Sequence, residues 1–164
     1  MNKAMLCIGM MAAALAMPAV FADEVAVTTT VSASFSAVFG YDTVAFSTLA
    51  EDTTDNAAPS QLTGTYYVNV TTNKDYMVEA LGANFTDGGT NSFSIANLKM
   101  DENAVAASLN VTSATVLTHE DQTIANNIAY TQTKSYHGYW LSIPAGQAAA
   151  IYTGGVTVTY SNVV

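Results

Sequence analysis

Val25-Ala26-Val27-Thr28-Thr29-Thr30-Val31-Ser32-Ala33-Ser34-Phe35-Ser36-Ala37-Val38-Phe39 is the stretch whose reading decides the fold. Val25, Val27, Val31, Ala33, Phe35, Ala37 and Phe39 share one parity, with Thr29 its only polar member, while Thr28, Thr30, Ser32, Ser34 and Ser36 dominate the other. A two-residue period of this kind puts an apolar row on one face of a β-strand and hydroxyls on the other. Fully extended, residues 25–39 would span on the order of 45 Å, longer than most strands of a small domain. No charge, Gly or Pro interrupts them before Gly40, so the devices that blunt a free sheet edge are missing. Such a ribbon has to be paired, either within its own chain or by a neighbouring copy.

Upstream the chain has the layout of a secretory leader: Lys3 as the positive end, an apolar run over residues 4–17, then Pro18 and the small-residue ending Val20-Phe21-Ala22. The expected cut follows Ala22, giving a signal peptide over 1–22 and one domain over 23–164, with 23–39 available as a donor strand. The apolar run is short for a membrane span, so no membrane insertion is expected after cleavage. Cys7, the only cysteine, lies inside the leader. An exported product would then hold no thiol and no disulfide, and its stability would come from packing and backbone pairing.

Apolar residues make up 50% of the chain and charged ones only 10%. With so much Thr, Ser, Val and Tyr, that balance favours an all-β extracellular protein. Thirteen Asp and Glu against four Lys and no Arg give a formal charge of -9. Nucleic acid and anionic membranes are excluded as partners, because both need clustered basic residues.

Downstream, a turn at Tyr41-Asp42 and a short strand over 43–48, with Val44 and Phe46 on one face, precede a polar loop over 51–60. Residues 65–71 alternate Tyr66, Val68 and Val70 against Tyr67, Asn69 and Thr71. Tyr76, Val78 and Ala80 repeat the pattern after Thr72-Asn73-Lys74, which predicts a hairpin. Asp87-Gly88-Gly89 marks a turn within a loop over 82–91. Residues 93–117 read as short strands with a helical turn. After a turn at His119-Glu120-Asp121 comes a weak strand over 122–130. Tyr139, Leu141 and Ile143 form a strand ended by Pro144, and Val156, Val158 and Tyr160 form the closing one. The expected fold is an immunoglobulin-like antiparallel β-sandwich of about 8–10 strands.

Residue chemistry points to no catalytic, cofactor or metal site. His119 and His137 read as surface or edge histidines, short of the three ligands that zinc or iron requires. The acids Glu51, Asp52 and Asp55, and Asp101 with Glu102, read as solvated surface, with structural calcium as the alternative. No Gly-x-Ser-x-Gly elbow is present. Asn69, Asn84 and Asn110 each head an N-linked glycan acceptor triplet. Trp140 and Tyr67 fall on the outward parity and are the candidate exposed aromatic contacts for surface glycans or other coat proteins.

Leu141-Ser-Ile-Pro-Ala-Gly, followed by Ile151-Tyr-Thr-Gly-Gly-Val-Thr-Val-Thr-Tyr160, resembles the ending of secreted microbial β-sandwich proteins, spore-coat-U-like domains and pilin-type subunits among them. A leader followed at once by a long alternating strand is similar to subunits of donor-strand filaments, including archaeal threads. That resemblance implies a homopolymer in which Val25, Val27, Val31, Ala33 and Phe35 contact the next subunit. The chain departs from chaperone-assembled pilins in lacking a cysteine pair beyond the leader. The expected role is a structural subunit, not an enzyme, secreted or held at the cell surface. The alternative is a monomeric adhesin or carbohydrate-binding module.

Overall fold

The computed structural model describes residues 32–163. They form an all-β antiparallel sandwich, and the helical turns among them are three-residue 3-10 segments. One sheet has six strands: β1 (Phe35–Phe39), β2 (Thr53–Ala57), β3 (Tyr67–Thr72), β6 (Leu98–Asn103), β7 (Thr115–Val116) and β9 (Lys134–Ile143). Its order is β1-β3-β9-β6-β7, and β2 follows β3 along the same edge of β9. The other sheet holds β4 (Tyr76–Thr86), β5 (Ser92–Phe93), β8 (Gln122–Ile128) and β10 (Thr153–Asn162), with β10 on one edge of β4 and β8 then β5 on the other.

The expected alternation is carried into burial. Tyr66, Val68, Val70, Tyr76, Val78 and Ala80 are all buried, and so are Tyr139 and Leu141. The expected hairpin between β3 and β4 does not form. Both edges of β3 are taken by β1 and β9, and both edges of β4 by β10 and β8, so neither has a free edge for the other. The connection instead turns from one sheet to the other, tightened where the Thr72 hydroxyl accepts the Lys74 amide at 3.2 Å. Val68 and Val70 therefore face Tyr76 and Val78 across a shared core instead of lying beside them.

Three other expectations are corrected. The long opening strand is shorter: 32–34 are outside any strand, β1 begins at Phe35, and residues 25–31 lie outside the described residues. Residues 43–48 keep the alternation, with Val44 and Phe46 half-buried and Ala45 exposed, but form no strand. The polar stretch 51–60 contains β2, which pairs with β9 through a bulge between Thr53 and Asn56 where Asp55 adopts φ 52°. A bulge shifts the parity, and five residues of Thr, Asp, Asn and Ala carry no apolar row from which a strand could be read.

Candidate functional site: the open side of the sandwich

The two long sides of the sandwich differ. On one side β8 lies against β6 and β7, and the Gly82 amide donates to the Thr118 carbonyl at 2.8 Å, joining the sheets by backbone. On the other side the sheets end in β1 and β10. Among the described residues β1 pairs only with β3 and β10 only with β4. The inward residues of β10, Val156, Val158 and Tyr160, are only half-buried, whereas Val78 and Ala80 on neighbouring β4 are fully covered. Phe39, at the end of β1, is 42% exposed although its ring meets Tyr160 edge-on at 5.9 Å.

Residues 42–49 run up this open side. The segment starts where the Gly40 amide donates to the Tyr67 carbonyl and Tyr41 packs against His137. It ends near the loop before β10, where a Glu51 carboxylate oxygen accepts the Gly146 amide at 2.9 Å. Val44, Phe46 and Leu49 pack on the same core as Val156 and Val158. Yet no backbone hydrogen bond joins 42–49 to another described residue. The side chains thus occupy a strand position in which the main chain pairs with no described residue.

Behind this side lies a polar string built on β9. Ser135, His137 and Tyr139 alternate along one face and point into the core, and His137 is fully buried, which corrects its expected place at the surface. Tyr41 bonds His137 Nδ1, and the Tyr139 hydroxyl lies 2.7 Å from that of Tyr41. On the other side of the ring Nε2 meets the Tyr160 hydroxyl at 2.6 Å, and Tyr160 donates to Ser135 Oγ at 2.8 Å. Because Tyr160 spends its proton on Ser135, it must accept from Nε2–H, which leaves Nδ1 to accept from Tyr41. Proton donation then runs from Tyr139 through Tyr41, His137 and Tyr160 to Ser135, and the Glu102 carboxylate accepts from Gln132 at 2.8 Å.

Burial sets the ionisation of the string. It pushes His137 down to about 3 and lifts the hydroxyls of Tyr41, Tyr139 and Tyr160 well above the ordinary tyrosine value. It also raises Glu102, against the hydrogen bond from Gln132. Every member is uncharged or hydrogen-bonded, and no buried side-chain polar atom among the described residues lacks a partner. With no approach from solvent to its imidazole, the string ties strands together.

The remaining candidates are dispersed. Val25, Val27 and Val31 lie outside the described residues, and Ala33 is exposed ahead of β1. Phe35 pairs with Thr72 of its own chain and packs, half-buried, with Val68, Val70, Tyr76 and Val78. Trp140 is only 5% exposed, not an outward contact: it lies over Gly138, and 3-10 turns at Gln61–Thr63 and Ala106–Ser108 border β9 there. Tyr67 is half-buried with the Lys134 ammonium 4.4 Å over its ring. Asn69, Asn84 and Asn110 are exposed. His119 is exposed and bonds the Gly82 carbonyl through Nδ1 at 3.0 Å. Asp55 pairs with Lys99 at 2.8 Å, and Asp101 is buried, accepting the Asn110 amide at 2.9 Å. Among the described residues no three His, Cys, Asp or Glu side chains come together as a metal site.

The polar string escaped the sequence reading because its members are scattered from Tyr41 to Tyr160. The one local sign was His137 on the same parity as Tyr139 and Leu141, a polar residue on a core face. Comparison of the chain with protein-family models, with curated proteins and with solved structures finds no match.

Proposed function

We propose that the chain is an exported structural subunit that assembles head to tail with copies of itself into an extracellular filament or surface coat, each copy donating the segment upstream of β1. The observation that carries this reading is the alternating ribbon of residues 25–33, placed directly ahead of a terminal strand on the open side of the sandwich. A heterologous contact that does not close into a ring makes a fibre. In strand addition, main-chain bonds supply affinity and alternate side chains fill pockets. Val25, Val27 and Val31 would each contribute about 1.5–3 kcal/mol on burial, before the cost of ordering the segment.

Because β1 belongs to its own core, the test must spare it. Val27→Asp with Val31→Asp places two charges on the donated face and leaves residues 32–163 intact. Protein secreted from the full chain should form filaments visible by electron microscopy, and the double variant should remain monomeric. Filaments of unchanged length and number in the variant would overturn the reading. The monomeric adhesin reading keeps Tyr67 but loses Trp140, whose ring is covered.

A further inference from the structure

We infer that residues 42–49 are an internal plug over the acceptor site, and that a second copy's residues 23–31 displace them to pair with the free edge of β10. This rests on the polymer reading and adds to it the site of attachment and a reason for the subunit to stay soluble before assembly.

The geometry carries the inference in three steps. β10 runs from Thr153 to Asn162, and its Tyr160 meets Phe39, three residues before the segment begins. The segment ends beside Gly146, in the loop that leads to the start of β10. It therefore runs antiparallel to β10, the direction in which backbone hydrogen bonds would form, and among the described residues its main chain forms none. A β-strand edge left in this state holds a row of unmatched donors and acceptors that another strand can satisfy.

Side-chain packing supplies the second step. Val44, Phe46 and Leu49 cover the same core as Val156 and Val158, so they keep the groove closed by apolar contact alone. A replacement strand that offers alternating apolar residues and also pairs its main chain retains those contacts and adds the ladder.

The occupant follows from length and pattern. Between the expected leader cut and Ser32 lie residues 23–31, about 30 Å when extended, which matches the ten-residue span of β10. Their Val25, Val27 and Val31 fall on one face and Thr28 and Thr30 on the other, an alternation that the plug keeps only from Val44 to Phe46. β2, which follows the plug, is tied to the rest of its sheet independently of it, by its pairing with β9 and by the Asp55–Lys99 ion pair.

The test pairs two measurements. A copy carrying Thr30→Cys is mixed with one carrying Thr157→Cys or Thr159→Cys, and with one carrying Val116→Cys on β7 as the competing edge. Disulfide-linked dimers should form with the β10 positions and not with Val116, and each single-cysteine variant alone is the control. Separately, Val44→Ser with Phe46→Ser loosens the plug and should speed filament growth several-fold at equal protein concentration.

Filaments that cross-link at Val116 and not at β10 would overturn this attachment while leaving strand donation standing. Slower growth in a plug variant whose circular dichroism shows it folded would overturn the plug. If the serine pair fails to fold, the cross-linking result alone decides the attachment, because it uses an unaltered plug. Absence of any assembly by the unsubstituted chain would remove the polymer reading itself.

Discussion

His137 Nε2 stands 2.6 Å from the Tyr160 hydroxyl, and that bond joins β9 of one sheet to β10 of the other. Tyr41, bonded to Nδ1 of the same ring, brings in the chain just ahead of the plug. One imidazole thus fixes three parts of the open side: both sheets and the root of the segment that closes it. Its position predicts the main stability determinants of the subunit.

Replacing His137 with Phe keeps the bulk of the ring but removes one hydrogen bond from each of Tyr41 and Tyr160, which keep Tyr139 and Ser135 as partners. A lost hydrogen bond costs about 0.5–1.5 kcal/mol net, so His137→Phe should lose about 1–3 kcal/mol in urea denaturation at neutral pH. The pH dependence has a definite sign. His137 is held down to about 3 in the folded chain, below its ordinary 6.5, so its contribution is complete above pH 6.5. As pH falls from 6.5 towards 3, the unfolded chain takes up a proton that the native ring refuses, and stability drops by on the order of a few kcal/mol. The gap between the wild type and His137→Phe should therefore narrow across that window. Glu102, raised by burial, acts in the opposite sense and is present in both proteins, so it largely drops out of the difference.

At alkaline pH the tyrosines take over. Tyr41, Tyr139 and Tyr160 are raised by burial, so their share of stability is present below the ordinary tyrosine value of 10.0 and is lost as pH climbs above it. Ultraviolet titration should show these three ionising together with cooperative unfolding. Smooth titration of all nine tyrosines in a chain still folded by circular dichroism would contradict the buried string.

Trp140 is the single tryptophan, and its cover gives a direct optical test. Its emission should be shifted to the blue and resist quenching by iodide, and added glycans should leave it unchanged. At Gly138 an added Cβ would stand 2.6 Å from the Trp140 ring and 3.3 Å from Leu109 Cβ. Gly138→Ala should therefore destabilise by about 1–3 kcal/mol through overpacking and shift the emission to the red. Quenching as efficient as for free tryptophan would show that the outer face of β9 is open.

Much of this was readable along the chain. The rows Tyr66-Val68-Val70, Tyr76-Val78-Ala80 and Tyr139-Leu141 are buried as their parity requires, because a strand's period is local and each row needs only its own neighbours. Partner choice is not local: β3 and β4 look like a hairpin, yet each gives both edges to other strands. Trp140 shows the same limit, since outward parity does not reveal a 3-10 turn arriving from elsewhere to cover it.

The amino-acid order by itself determined an acidic, β-forming chain with one apolar face per strand, since side-chain alternation and turn chemistry act over a few residues. Which edges stay unpaired among the described residues, that 42–49 lies in a strand position without a ladder to them, and that His137 is enclosed by tyrosines from distant segments were decided only by tertiary structure. Those outcomes depend on competition among strands for a limited set of edges and on polar groups meeting across the core, which no short window of sequence contains.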